Sequence, residues 1–168
     1  MNHIVLFEPS MPANTGNIAR TATAINARLH LIKPLGFDLD DKKVIRAGLD
    51  YWSNVDLVVH ENLPEFLKTI GNGKLFLVSK YAKISYDQAD FSNTSVDQYF
   101  LFGNEAYGLP EVFMRKNPEK AIRIPQNDQH VRSLNLSNSV AIVLYEAMRQ
   151  QNFHGLERIH KYDQDKLK

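Results

Sequence analysis

Short apolar segments alternate with amphipathic segments along the whole chain, and this alternation limits the fold more than any other feature. Six apolar segments are typical of strands: His3–Phe7, Arg28–Ile32, Val55–Val59, Lys74–Ser79, Gln98–Phe102 and Ala121–Ile124. Several are continuous rather than alternating, which indicates strands covered on both faces. The segments between them are typical of helices: Thr15–Asn26, Asp41–Tyr51, Leu63–Ile70 and Leu109–Lys116. This order predicts an α/β fold, with a mainly parallel sheet flanked by helices.

The last predicted helix has the clearest pattern in the sequence. From Leu136 to Met148, apolar residues recur at three- or four-residue spacing and form one stripe. Ser133 and Asn135 precede the stripe, where polar side chains cap a helix start. The pattern stops after Phe153. We therefore expect a single domain over residues 1–153 and a charged C-terminal tail over residues 154–168.

The composition is that of an ordinary globular protein, and it excludes several classes. The chain has 168 residues, of which 43% are hydrophobic, and no apolar stretch is long enough to span a bilayer. The apolar N-terminal segment has no basic residues before it and indicates a strand rather than a signal peptide. Without cysteine there is no disulfide or thiolate site. A cytoplasmic location fits these features.

The charge and the histidines give no functional assignment by themselves. The net charge is +1, so an RNA site would have to be a local basic patch rather than a property of the whole chain. The six histidines lack metal-ligand spacing, which argues against zinc. The sequence also has no Walker loop and no Gly-x-Ser-x-Gly elbow, which argues against a P-loop ATPase or a hydrolase of that type.

The first segment that could carry chemistry is Asn14–Arg20, directly after the first strand and a proline-rich turn. It places small polar residues at a helix start and Arg20 about one turn into the predicted helix. Helix-start amides favour anions, and an arginine can bind a phosphate with two hydrogen bonds. The alternative is a capped helix with a surface arginine.

The second segment is Leu101–Pro110, where a strand ends in Gly103, Glu105 follows, and Gly108 opens the next helix. In open α/β sheets, ligands bind beyond the carboxyl ends of the strands, and glycine lets the backbone approach them closely. The alternative is a turn that carries a helix-start glutamate. The spacing is not that of the dinucleotide-binding fingerprint.

The third segment joins Ile122–Pro125 to the polar cluster Ser133–Ser139 through an intervening loop. This cluster has more hydroxyl and amide side chains than one helix cap requires. Such side chains can form hydrogen bonds with a ribose or an amino-acid group. The alternative is a helix start with redundant caps.

In this order and spacing, the three segments resemble the motifs of the SPOUT class, in particular its TrmH-like RNA ribose methyltransferases. Further stretches are similar to the small tRNA (cytidine/uridine-34) 2′-O-methyltransferases: Phe7–Pro9, Pro12–Arg20, Arg28–His30, Pro34–Phe37, Asp41–Lys42, Arg46–Tyr51, Ile122–Pro125, Ser133–Ser139 and Tyr145–Gln150. The resemblance covers residues 3–153. It implies methyl transfer from S-adenosylmethionine to the ribose 2′-hydroxyl of the wobble nucleotide of tRNA, without a metal.

The resemblance also implies an architecture. The C-terminal part would form a deep trefoil knot, and S-adenosylmethionine would bind there against Val78, Gly103, Ile124 and Ser133. The enzyme would be a homodimer that packs through its first and last helices. Such small members lack a separate RNA-binding domain, and this chain has no room for one.

The catalytic residues implied by the resemblance are Arg20, Ser133 and Asn135. The family mechanism gives the ribose proton to the residue that matches Arg20. A guanidinium stays charged at neutral pH, so Arg20 could instead bind the adjacent phosphate and leave the proton to phosphate or water. Ser133 and Asn135 would shape the cofactor pocket and place the ribose.

The expected RNA-binding residues are Asn14, Arg20, Glu105 and Tyr145. Asn14 and Glu105 would hold the substrate or orient Arg20. Tyr145 lies on the last helix and could support the dimer or stack on a base, although we expect it to be buried.

The chain departs from its relatives in the second motif and the loop after it. Residues 103–108 read Gly-Asn-Glu-Ala-Tyr-Gly, where close relatives usually have Gly-Pro-Glu-Thr-Arg-Gly, and the loop 126–132 carries an unexpected His130. Both differences bear on substrate specificity. Three alternatives stay open: methylation of ribosomal RNA or another tRNA position, a non-catalytic RNA-binding knot, and a flavodoxin-like small-ligand module.

Overall fold

The computed structural model describes residues 1–40, 42–47 and 52–167. Its strands are β1 Asn2–Phe7, β2 Arg28–Ile32, β3 Leu57–His60, β4 Lys74–Val78, β5 Ile84–Ser85, β6 Gln98–Phe102 and β7 Ala121–Arg123. Its α-helices are α1 Pro12–Ala24, α2 Lys42–Ala47, α3 Leu63–Thr69, α4 Glu111–Lys116 and α5 Leu136–Gln150. Short 3-10 helices cover Trp52–Asn54, Tyr86–Gln88 and Pro118–Lys120.

The seven strands form one sheet in the order β3-β2-β1-β6-β4-β7-β5, and all pairings between them are parallel. The predicted α/β fold with a mainly parallel sheet is therefore confirmed. The chain leaves the edge strand β3 and re-enters the sheet at β4, between β6 and β7. This order brings the carboxyl ends of β6, β4 and β7 side by side.

Both faces of the sheet are buried, which explains the continuous apolar runs. Alternate residues of β1 point to opposite faces: Ile4 and Leu6 pack in one core cluster, Val5 and Phe7 in another. The first cluster includes the apolar faces of α1 and α5, and the second includes Phe66 of α3.

Most predicted elements are present with shifted ends. Helix α1 begins at Pro12 because proline suits the first turn of a helix, whereas the predicted helix began at Thr15. Helix α2 falls within the predicted helix Asp41–Tyr51, of which Asp41 and residues 48–51 lie outside the described residues. Strand β5 was not predicted, because its two residues form no apolar run.

The segment 154–167 contains no described helix or strand. Its first residues contact the domain: Leu156 packs against the edge of the core, and the Arg158 guanidinium lies 4.9 Å from the centre of the Phe153 ring. The domain boundary after Phe153 stays a prediction. Among the described residues, no helix has the length and hydropathy needed to cross a membrane.

Three buried histidines form a row across β1, β2 and β3. The Nδ1 atom of His3 lies 2.9 Å from Nε2 of His30, and Nδ1 of His30 lies 2.8 Å from Nε2 of His60. Burial lowers the pKa of all three, and the neighbouring histidines help to lower that of His30 to about 3. The row is therefore uncharged at neutral pH.

This row should make the protein less stable in acid. An unfolded histidine has a pKa near 6.5, so below that pH the unfolded chain binds a proton that folded His30 takes up only near pH 3. His30 alone should lower the free energy of unfolding by about 2 kcal/mol between pH 7.5 and pH 5. Urea unfolding at a series of pH values measures this.

The variant His30→Gln should show a weaker pH dependence than the wild type, while the exposed control His160→Gln should retain it. A wild-type stability that is unchanged between pH 7.5 and pH 5 would contradict the interpretation.

Candidate active site

A cavity of about 520 Å³ lies at the carboxyl edge of the sheet, beyond β4, β6 and β7. Its walls are the loops that follow these three strands, together with the start of α1 and the start of α5. Ligands of open α/β sheets bind at this edge, and the volume is in the range of small-molecule and cofactor sites. The cavity is therefore the candidate active site.

The four residues predicted to contact a cofactor line this one cavity. Val78 is the last residue of β4, Gly103 directly follows β6, Ile124 directly follows β7, and Ser133 precedes α5. The strand order brings them together although they are far apart in the sequence. Their role as cofactor contacts stays a prediction.

The turn after β6 is closely packed around Gly103. A Cβ atom at this position would lie 2.4 Å from the carbonyl carbon of Gly108 and 2.6 Å from the Leu109 nitrogen, so no other residue fits without a backbone shift. Reciprocal backbone hydrogen bonds between Asn104 and Gly108 close the turn, and Gly108 has a φ of 72°, which favours glycine. The turn presents Glu105, Ala106 and Tyr107 to the cavity.

The Glu105 carboxylate links this turn to the start of α1. It accepts hydrogen bonds from the backbone N–H groups of Ser10 (2.9 Å) and Met11 (3.1 Å), from the Ser10 hydroxyl (3.0 Å) and from Asn14 Nδ2 (3.4 Å). Burial acts to raise the pKa of Glu105, but the hydrogen bonds to Ser10 and Met11 outweigh it and hold the pKa below its usual value. Glu105 is therefore ionised at neutral pH.

Asn14 and Asn135 connect the first motif to the third. Asn135 Nδ2 donates a hydrogen bond of 3.1 Å to Asn14 Oδ1, while Asn135 Oδ1 caps α5 by accepting from the N–H groups of Ser137 and Asn138. Asn14 is 5% exposed. Side chains from all three motifs thus form one hydrogen-bonded chain, Glu105–Asn14–Asn135. Their proposed roles toward RNA and ribose stay predictions.

The structure does not bring Arg20 and Tyr145 to the cavity. Arg20 is exposed on α1, about two turns into the helix because the helix begins at Pro12, and it is not among the residues that line the cavity. Tyr145 is on α5 and is 45% exposed, so it is not buried within the single chain as expected. It faces outward because the buried stripe of α5 runs through Val140, Leu144 and Met148.

Four residues at the cavity rim were not predicted as functional: Lys80, Tyr81, Tyr107 and Arg132. Lys80 Nζ donates to the Arg132 carbonyl (3.1 Å), and Arg132 donates to the Ala106 carbonyl (2.6 Å). Lys80 and Tyr81 lie two and three residues after the end of β4, so the rule that ligands bind beyond strand ends could have found them. Among the described residues, no group of histidines and carboxylates could hold a metal ion.

Fold and site define an α/β protein with a ligand cavity at the carboxyl edge of a parallel sheet, built from three separate sequence motifs. Residues 1–145 match the SpoU rRNA methylase family. The chain belongs to this family, which confirms the resemblance found in the sequence.

Relatives and solved structures give the finer comparison. A protein of Lactococcus lactis with the provisional name tRNA (cytidine(34)-2′-O)-methyltransferase is 56% identical, and the match covers both chains completely. A crystal structure of a candidate RNA methyltransferase from Bacillus anthracis has 48% identity and a TM-score of 0.88, over 94% of this chain and 98% of that one.

Two further structures bear on the chemistry. One, from a study of 2′-OH methylation of C/U34 on tRNA, has 42% identity and a TM-score of 0.83, over 90% of this chain and 97% of that one. An AdoMet-bound rRNA methyltransferase from Sinorhizobium meliloti has 26% identity and a TM-score of 0.78, over 88% of this chain and 56% of that one.

The packing around Gly103 gives a stability prediction. Gly103→Ala should destabilise the fold by more than Gly71→Ala, because the new methyl group at position 103 meets backbone atoms at 2.4–2.6 Å. At position 71 the methyl group meets no atom within 4 Å, and only the φ of 56° is unfavourable, by about 1–2 kcal/mol. Thermal unfolding compares the two variants. An equal loss of stability in the two variants would contradict the close packing of the turn.

Proposed function

We propose that this chain methylates the ribose 2′-hydroxyl of the wobble nucleotide of tRNA, cytidine or uridine 34, with S-adenosylmethionine as the methyl donor. One observation carries the proposal: the three family motifs meet in one cavity, in a chain that matches a tRNA (cytidine(34)-2′-O)-methyltransferase relative over its full length at 56% identity. A cytoplasmic location, where tRNA is found, belongs to the same proposal.

The cavity fits the proposed methyl donor. Its volume suits a cofactor, and Gly103, which permits the close packing of the turn after β6, lines the cavity. Val78 and Ile124 would contact the apolar part of the donor, and the Ser133 hydroxyl would form a hydrogen bond with it. S-adenosylmethionine would supply a methyl carbon made electrophilic by its positively charged sulfur: the carbon–sulfur bond would break as the ribose oxygen takes the methyl group, and S-adenosylhomocysteine would leave. The AdoMet-bound relative from Sinorhizobium meliloti supports this choice.

The residues of the chain would orient the ribose and handle its proton. The hydrogen bonds that join Glu105, Asn14 and Asn135 fix the two helix starts beside the cavity, which favours a single orientation of the ribose. Arg20 would bind the phosphate next to that ribose with its charged guanidinium. The 2′-hydroxyl proton would then pass to phosphate or water, since a charged guanidinium cannot accept it.

A homodimer and a C-terminal knot complete the proposal. Ile142 (36% exposed) and Tyr145 (45% exposed) lie three residues apart on the outer side of α5, which supports packing against a second copy. Arg20 is exposed on the neighbouring α1 and does not line the cavity of its own chain, so its proposed contact with the phosphate would be made to RNA bound at the cavity of the second copy. The strand order, in which β4 lies between β6 and β7, is compatible with a threaded C-terminal segment.

The decisive experiment incubates the protein with labelled S-adenosylmethionine and total tRNA, followed by nucleoside analysis and position mapping. We expect 2′-O-methylcytidine or 2′-O-methyluridine at position 34. Label at another tRNA position, or in ribosomal RNA alone, would overturn the wobble assignment. Binding of S-adenosylmethionine in calorimetry without any methyl transfer would favour a non-catalytic RNA-binding protein. No binding of S-adenosylmethionine would exclude the methyltransferase proposal.

The variant Arg20→Ala should lose most of its single-turnover rate with bound tRNA. Arg20→Lys should lose a substantial part of that rate, because lysine cannot form the bidentate pair of hydrogen bonds with a phosphate. Affinity for S-adenosylmethionine should not change, since Arg20 does not line the cavity. Arg115→Ala, an exposed arginine of α4, is the matched control and should behave as the wild type. A near-normal rate for Arg20→Ala would exclude both a phosphate-binding and a proton-accepting role.

A further inference from the structure

Tyr107 stands at the rim of the candidate active site, in the turn that follows β6. Its side chain lines the cavity but is 62% exposed, so a large part of the ring is open to solvent. A single exposed tyrosine is common on protein surfaces and carries no functional meaning by itself. The surroundings of this ring are what set it apart.

Tyr107 is held both at its hydroxyl and at its backbone. Its hydroxyl donates a hydrogen bond to the Glu8 carboxylate, and this bond raises the pKa of Tyr107 to about 12, so the hydroxyl stays protonated. Its backbone N–H donates to Asn104 Oδ1 (3.4 Å) within the closed turn. The ring is therefore oriented before any ligand arrives.

Glu8 is itself fixed in an unfavourable conformation. Its φ of 46° lies in the left-handed region, which non-glycine residues rarely adopt. The Glu8 N–H donates to the Ile32 carbonyl (3.0 Å), and the Glu8 carbonyl accepts from Asn104 Nδ2 (2.6 Å). Backbone strain that is held by several contacts is typical of functional sites.

Cations and a second aromatic ring share this rim. Arg132 donates to the carbonyl of Ala106, the residue directly before Tyr107, and Lys80 donates to the carbonyl of Arg132. Tyr81 is 74% exposed, and Lys80 Nζ lies 5.3 Å from the centre of its ring. Exposed aromatic rings among lysine and arginine side chains are the combination that binds single-stranded RNA, with bases on the rings and phosphates on the cations.

We propose that Tyr107 stacks on a nucleobase of the anticodon loop beside the methylated nucleotide, while Arg132 and Lys80 bind the adjoining phosphates. Tyr107 is then a specificity-determining residue of the site. The anchor to Glu8 strengthens binding because the ring loses little conformational freedom when the base stacks on it. This inference rests on the proposed tRNA substrate and adds to it the surface that holds the loop.

The test compares Tyr107→Ala and Tyr107→Phe with the control Tyr162→Ala, a tyrosine in the C-terminal segment that is also largely exposed (72%). Loss of base stacking should raise the KM of Tyr107→Ala for tRNA about fivefold or more. Because Tyr107 also lines the cavity proposed for S-adenosylmethionine, the KM for tRNA is measured at saturating S-adenosylmethionine, so that a change in donor binding does not enter it. Tyr107→Phe keeps the ring and loses only the hydrogen bond to Glu8, so it should retain most of the tRNA affinity.

A purely structural role gives a different pattern. If Tyr107 acted only through Glu8, Tyr107→Phe and Glu8→Gln would be impaired as much as Tyr107→Ala, and that result would overturn the proposal. A KM for tRNA in Tyr107→Ala equal to that of the wild type would also overturn the proposal.

A fluorescent substrate reports stacking directly. A synthetic anticodon stem-loop with 2-aminopurine next to the wobble nucleotide should be quenched on binding to wild type and Tyr107→Phe, and not on binding to Tyr107→Ala. Equal quenching by all three would also overturn the proposal. The wild-type transfer assay separates the two hypotheses: without transfer to position 34 the proposed function fails, whereas transfer without a Tyr107 effect refutes only this inference.

Discussion

The backbone N–H groups of Ser10 and Met11 donate hydrogen bonds to the Glu105 carboxylate, and the shape of the candidate active site depends on this contact. Glu105 lies 95 positions after Ser10 in the sequence, on a different loop of the sheet edge. Hydrogen bonds to an ionised group contribute about 1.5–3 kcal/mol each, and a half-buried carboxylate without them would be unfavourable. The charge therefore holds the start of α1 against the turn after β6.

Asn14 extends this contact to the third motif. It donates to Glu105 and accepts from Asn135, which at the same time caps α5. The starts of both helices are thus fixed relative to the turn that carries Tyr107. Because each polar group of Glu105, Asn14 and Asn135 has a defined partner, the cavity is formed before a ligand binds. A preformed cavity is what the orientation of a ribose hydroxyl requires.

The sequence predicts the fold well because burial on both faces leaves a direct signal in it. The runs that form β1 and β4 are continuous for this reason, and the stripe on α5 identifies its buried face. Strand β5 has no such signal, because two residues at the sheet edge bury little. The start of α1 lies three residues before the predicted Thr15, because Pro12 is suited to the first turn of a helix.

The site was predicted only in part, for a different physical reason. Residues at strand ends, such as Gly103, can be found from the chain alone, because the end of a parallel strand is where ligands bind. The hydrogen bond between Asn135 and Asn14 spans 121 positions, and only the strand order brings the two together. Arg20 and Tyr145 show the converse: a residue inside a recognised motif need not line the cavity of its own chain.

The nearly neutral chain constrains how RNA could be held. With 20 basic and 19 acidic residues, attraction by total charge is weak, so the placement of individual cations decides where a phosphate binds. Several cations are neutralised by carboxylates, as in the pairs of Arg149 with Glu146 and of Arg123 with Asp128. Lys80 and Arg132 instead donate to backbone carbonyls, which carry no net charge. Asp128 also attracts Lys80 electrostatically, but its hydrogen bonds are with Arg123 and Gln126. The positive charge of these two side chains is therefore concentrated at the cavity rim, where the exposed tyrosine rings also lie.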